Sequence, residues 1–193
     1  AVKQAVRHGV DVIGHANYLD DEAVDMLEAK RDQIFVCPAI AWEITLLDRG
    51  SELGLPRDAM EQRGYQKEVD ETISAVKRLR DSKVRVLVGG DYGLNITPHG
   101  TNSKDLEYFV DLFGMSTSEA LLCATRDGGA AADTSGMVGT LEEGKYADLV
   151  IVDGNPLEDI RILQDHSRIV GVMKDGVMHC ALMQKNPYIA PDE

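Results

Sequence analysis

Val84-Arg85-Val86-Leu87-Val88-Gly89-Gly90-Asp91 decides the fold: a short, nearly continuous apolar strand that stops on two glycines and a carboxylate. A second run of the same design, Val10 to Ile13, ends on Gly14-His15, and a third, Ile34-Phe35-Val36-Cys37, is broken by Pro38. Helical spacing fills the intervals. Val2, Ala5 and Val6 share a face before Gly9, and Ala23, Val24, Met26 and Leu27 share another that Asp20 or Asp21 can cap. Val69, Ile73, Val76 and Leu79 mark a long charged helix, reached after a polar excursion from Arg49 to Pro56. Apolar strands alternating with amphipathic helices predict a parallel sheet covered by helices, an α/β fold.

After Asp91 the chain enters a loop rich in Gly, Pro, Thr and Asn, from Tyr92 to Asn102. Ser103 is placed to cap a helix with Leu106, Phe109, Val110 and Phe113 on its core face. Ser116-Thr117-Ser118-Glu119 reads as a capping box opening the next helix, through Ala120, Leu121 and Ala124. From Gly136 onward the character changes to short strands at Gly139-Thr140-Leu141, Leu149 to Asp153, Val170 to Met173 and Val177-Met178. The Lys174-Asp175-Gly176 turn between the last two is a hairpin signal. The expected division is residues 1–135 as barrel-like α/β and residues 136–193 as a small β unit with a tail.

Composition narrows the function. The chain's 193 residues include 20 Lys+Arg against 33 Asp+Glu, a net charge of −13, which argues against nucleic acid or an anionic membrane as partner. No apolar run approaches the roughly 20 residues of a membrane helix. Cys37, Cys123 and Cys180 form no CxxC pair, so neither a disulfide framework nor a cysteine zinc site is signalled, and a cytoplasmic setting is expected. The chain opens on Ala1-Val2 without Met and already in helical pattern, so a leader or a whole N-terminal half is expected upstream.

His15 and Asp91 are the first candidates for chemistry, because each follows an apolar strand of the same alternation. In a parallel barrel all strand C-termini meet on one face, where catalytic side chains gather. An imidazole and a carboxylate suit zinc or another divalent metal, and metal-bound water becomes a nucleophile near neutral pH. Taken singly, each residue also has a bland role, a solvated strand-end histidine and a loop cap. His99, in Pro98-His99-Gly100-Thr101, and Tyr92 lie on the same expected face as substrate contacts. His8, His166 and His179 read as structural or exposed. Gly89-Gly90 lacks any GxGxxG or Walker context, so a nucleotide site is not expected. Cys37 has no His–Asn partner and reads as buried.

These residues together resemble a known family. Val12-Ile13-Gly14-His15-Ala16 with Leu19 to Ala23 resembles the sixth-strand segment of the amidohydrolase superfamily, and Gly89-Gly90-Asp91-Tyr92-Gly93 its eighth-strand metal-aspartate motif. His99-Gly100-Thr101-Asn102 with Asp105-Leu106-Glu107 is similar to the following loop and helix. Ser116 to Thr125 resembles the family's T-x-x-E-A-L-x-x-A-T helix. Gly139 to Asp153 is the most specific match, to the strand pair by which the chain returns from the barrel to a small β-sandwich, and Met173 to Gly176 resembles its closing hairpin.

The resemblance is closest to the imidazolonepropionase-related, prolidase-like branch. It implies the C-terminal part of a (β/α)8 TIM-type barrel followed by part of a composite β-sandwich. It implies a divalent metal, zinc first, with His15 as ligand. Asp91 would be both ligand and the general base that passes its proton to the leaving nitrogen. The substrate implied is a small amide or dipeptide-like molecule, and the complete protein is expected to be a homo-oligomer. The family's first-strand His-x-His pair, fourth-strand lysine and fifth-strand histidine have no counterpart here, and Gly14 and Gly90 stand where it often has Glu and Thr or Ser. The expected resolution is a C-terminal portion that lacks its N-terminal barrel half and is inactive alone. The alternatives are a non-catalytic half-barrel that pairs with another chain, and a deaminase or cyclic-amide hydrolase on the same scaffold.

Overall fold

The computed structural model describes residues 1–181 of the 193. Helix α1 (Val2–Arg7) leads into strand β1 (Val12–Gly14), and α2 (Asp21–Glu28) leads into β2 (Phe35–Cys37). Three helices, α3 (Ile40–Arg49), α4 (Arg57–Gln62) and α5 (Tyr65–Asp81), then fill the connection to β3 (Arg85–Val86). The three strands pair in the order β1-β2-β3, all parallel, with Ile13 opposite Val36 and Val36 opposite Val86. This is the α/β architecture that the alternation predicts. As strands, β1 and β3 are shorter than the apolar runs, but the pairing continues: His15 N–H donates to the Cys37 carbonyl at 2.7 Å and Ala39 N–H to the Gly89 carbonyl at 3.1 Å. His15 and Gly89 therefore belong to one level end of the sheet.

Local signals explain the helices. The Asp20 carboxylate accepts the Ala23 N–H at 2.9 Å, starting α2 with Ala23, Val24 and Leu27 turned inward. In α5 the buried positions are Val69, Thr72, Ala75, Val76 and Leu79, a stripe at helical spacing against the sheet. Helix α6 (Lys104–Asp111) places Leu106 and Phe109 in the core, where the Phe109 and Phe113 rings meet at 5.1 Å between centroids. Ser103 precedes α6 without bonding its backbone, so the expected cap there is absent. Helix α7 (Thr117–Leu122) carries the complete Ser116–Glu119 capping box, continues through a π-helical turn (Cys123–Asp127), and passes into α8 (Gly128–Ala132).

A second sheet of antiparallel strands follows: β4 (Leu149–Val152), β5 (Ile169–Lys174) and β6 (Val177–Ala181), in that order. Asp175 and Gly176 both take positive φ, 50° and 75°, the backbone a two-residue hairpin requires. The expected strand at Gly139-Thr140-Leu141 is not formed. Gly139 sits at φ 93° against Gly129, so close that a Cβ on it would lie 2.9 Å from the Thr125 carbonyl oxygen; packing on the helix end overrides the strand pattern. Arg161 ties this region to α6 through Asp111 at 2.7 Å and Glu107 at 3.3 Å.

Candidate active site

His15 stands at the end of β1 and Asp91 five residues beyond β3, at the same end of the parallel sheet with β2 between them. Both hold left-handed backbone, φ 65° and 58°, and Ala16 follows at φ 57°. Non-glycine residues pay for this conformation, Ala more than His or Asp. Such strain gathers where a side chain must be aimed. Both side chains are exposed.

The loop after β3 is closed on itself. Thr97 Oγ1 donates to the Asp91 carbonyl at 3.2 Å, and Gly93 N–H to the Thr97 carbonyl at 2.8 Å. Its root is held by Asp105 on α6, only 1% exposed, a residue of the Asp105-Leu106-Glu107 match that the sequence did not mark as part of the site. One carboxylate oxygen accepts the Gly89 N–H at 3.0 Å and the other the Tyr92 hydroxyl at 3.2 Å, so Asp105 grips the chain on both sides of Asp91. Burial pushes the Asp105 carboxyl up to about 6 against these two bonds, and burial beside Asp105 raises the Tyr92 hydroxyl. The signal for Asp105 was present: 105, 109 and 113 follow at i, i+4 and i+8, a stripe that Phe109 and Phe113 show to be buried.

Gly90 is required beneath this clamp. A Cβ there would meet the Tyr92 ring and come within 2.8 Å of both the Ala41 methyl and Asp105 Oδ1. Cys37 donates its S–H to the Gly89 carbonyl at 3.3 Å, and burial, with the Asp105 and Asp91 charges, raises its thiol. It is a structural thiol and not an activated nucleophile.

Tyr92, half-buried, gives its hydroxyl to Asp105 and lines a cavity of about 410 Å³. Arg49, Thr97, Lys104, Tyr108 and His166 share that wall. The His166 Nε2 lies 2.8 Å from the Gly100 carbonyl, so this histidine braces the loop. His99 is exposed and lies over Gly93, whose missing Cβ leaves room 3.1 Å from the imidazole Nε2. His15 and Asp91 thus share one end of the sheet, while Tyr92 lines the neighbouring cavity.

His15 and Asp91 offer one nitrogen and a carboxylate, the donor types of a zinc-like divalent site. They fit part of such a shell. Among the described residues, no three His, Cys, Asp or Glu side chains converge as a metal site. No helix among them is long and apolar enough to cross a membrane.

The comparisons with known proteins agree with the architecture. Residues 1–178 match the Amidohydrolase family, and the chain belongs to it. Ochratoxinase from Aspergillus niger is 26% identical over 191 residues, which cover 98% of this chain and 37% of that enzyme. The chain therefore spans little more than a third of the curated relative's length. The ochratoxinase crystal structure superposes with a TM-score of 0.79 at 24% identity, over 93% of this chain and 39% of that one. A Xaa-Pro dipeptidase with methionine bound in its active site matches with a TM-score of 0.76 and 28% identity, covering 92% of this chain and 42% of the other.

Proposed function

We propose that this chain carries part of the catalytic face of a metal-dependent amidohydrolase that cleaves C–N bonds of small amides, with dipeptides and acyl-amino acids as the first substrate class to test. The observation that carries it is the placement of His15 and Asp91, exposed and on left-handed backbone, at one end of a parallel sheet in an amidohydrolase-family chain. Residues 1–135 are then the last strands and helices of a (β/α)8 barrel, and residues 136–193 the C-terminal share of a β-sandwich. The first substrate class follows the dipeptidase and ochratoxinase relatives.

His15 and Asp91 would hold a divalent metal, zinc first, which would supply a Lewis acid for the amide carbonyl and an acidic water. The remaining ligands come from polypeptide outside these 193 residues. Asp91 takes a proton from the attacking water at its carboxylate and returns it to the departing nitrogen, so that the amine leaves neutral. Asp105, through Gly89 and Tyr92, keeps the Asp91 turn in place during both transfers. Tyr92 and His99 flank the substrate on the loop side. Such an enzyme works in the cytoplasm as a homo-oligomer.

The test is hydrolysis of a panel of dipeptides and N-acyl amino acids by the full polypeptide that contains this chain, with and without added Zn²⁺. Metal-dependent release of amino acid supports the reading. Equal, background-level release by the wild type and Asp91→Asn under all metal conditions overturns it.

A further inference from the structure

The cavity beside the Asp91 loop has a chemistry of its own. Neither His15 nor Asp91 lines it. Ala41, Ile96 and Thr97 are its buried residues, while Pro98, Gly100 and His166 are exposed, so it opens to solvent. Its volume of about 410 Å³ is that of a small-molecule pocket. The chain carries a net charge of −13, yet no Asp or Glu belongs to this wall, whereas Arg49, Lys104 and His166 do.

Each of these three heads is set against another residue of the wall. Arg49 Nη1 donates to the Ile96 carbonyl at 3.2 Å, and His166 Nε2 lies 2.8 Å from the Gly100 carbonyl. Lys104 Nζ stands 5.1 Å from the centre of the Tyr108 ring. Their acidic partners lie outside the wall: Glu52 accepts from Arg49 at 2.7 and 2.9 Å, and Glu107 accepts from Lys104 at 2.6 Å. Glu107 is shared with Gln164 at 2.7 Å and Arg161 at 3.3 Å, so it does not belong to Lys104 alone. Donors remain. Lys104 uses one of its three N–H groups, and Arg49 three of its five. Burial, with the charges of Asp48, Glu107 and Asp105, pushes the Tyr108 hydroxyl up to about 12, so it keeps its proton at neutral pH.

Cations with spare donors beside aromatic and aliphatic side chains fit an amphipathic anion. We propose that this cavity binds a small organic acid, its carboxylate at Lys104 with Arg49 adding to the attraction, and its apolar body among Tyr92, Ile96, Pro98 and Tyr108. The occupant rests on the loop that carries Asp91, because Thr97 of the same wall donates to the Asp91 carbonyl. Binding here does not rest on the hydrolase reading.

The experiment uses the full polypeptide carrying His15→Ala and Asp91→Asn, so that metal at the catalytic face does not capture the carboxylate. It is titrated calorimetrically with sodium phenylacetate, with phenylacetamide (the same body without the charge) and with sodium acetate (the same charge without the body). The expected result is saturable binding of phenylacetate, about tenfold or more tighter than either control. Lys104→Gln is expected to weaken it by about tenfold, and Lys104→Arg to keep it within about threefold. No saturable binding, equal binding of either control, or full binding by Lys104→Gln overturns the site. If Lys104→Gln does not fold, Arg49→Gln decides in its place: a loss of about threefold or more supports the site, and unchanged affinity overturns it. None of these readouts depends on turnover, so the pocket and the proposed hydrolase activity fail separately.

Discussion

A carboxylate that takes up a proton and gives it back must be free of protein cations and held at a fixed angle. Asp91 is exposed, and its turn is held from below by Thr97 and by Asp105 acting through Gly89 and Tyr92. Asp91→Asn is expected to lower turnover about 10³-fold. It should leave stability within about 0.5 kcal/mol, since Asn tolerates left-handed backbone and the site is at the surface. Steady-state kinetics and urea melts check both halves. Asp105 behaves differently. Its carboxyl is raised from an ordinary 3.8 to about 6, so its protonated form is favoured in the folded state. That contribution is complete below about pH 4 and is lost as pH rises through 6. Asp105→Asn, which keeps an acceptor for Gly89 N–H, should flatten the stability profile over this interval. Asp105→Ala leaves the Gly89 donor unpaired and should cost about 2 kcal/mol at any pH.

Legibility at this scale divided by exposure. His15 and Asp91 could be read because strand ends are marked by an apolar run that stops. Asp105, Glu43 and Asn17 are masked by residue type, because charged and polar residues are ordinarily assigned to the surface. Periodicity would have placed the first two: 105-109-113 on α6, and Ile40, Glu43 and Leu47 at i, i+3 and i+7 on α3, are buried stripes. Asn17 lies in a loop, where no period operates.

Among the elements, α7 rests on its capping box. Ser116 Oγ accepts the Glu119 N–H at 3.2 Å, and the Glu119 carboxylate accepts the Ser116 N–H at 2.7 Å while pairing with Arg80 at 3.0 Å. These bonds hold the Glu119 carboxyl down to about 2. Ser116→Ala is expected to cost about 1 kcal/mol in urea unfolding. The end of the β3 run is stricter. Gly90→Ala forces a methyl against Tyr92, Ala41 and Asp105, so it should destabilise by at least about 1–3 kcal/mol and loosen the Asp91 turn. A smaller change in the melting temperature of Gly90→Ala than of Ser116→Ala would contradict that packing. The helices and the hairpin at Asp175-Gly176 were legible because their signals are local. The failed strand at Gly139 was not, since only the fold brings Gly129 against it.

For the molecule as a whole, the described residues leave apolar surface uncovered. Val10 and Val12 near β1 are 42% and 46% exposed, Val150 on β4 57%, and Val177 on β6 59%. Strand β1 pairs only with β2 among the described residues, and β3 likewise, so the parallel sheet has two open edges. The isolated 193-residue chain is therefore expected to self-associate in size-exclusion chromatography despite its net charge of −13. A sharp monomer peak would count against the barrel reading. The fold class was legible at this scale, because alternation of strand and helix is a property of the entire chain. The ligand set was not, because a metal shell is assembled by the fold, and among the described residues no three His, Cys, Asp or Glu side chains converge.

The most direct measurement is the metal content of the full polypeptide by elemental analysis, wild type against the His15→Ala/Asp91→Asn pair. Near-stoichiometric divalent metal in the wild type, largely lost in a variant that still folds, is the expected result. Equal occupancy in the two proteins would show that these residues do not hold the metal, and the catalytic roles assigned to them would fall with it.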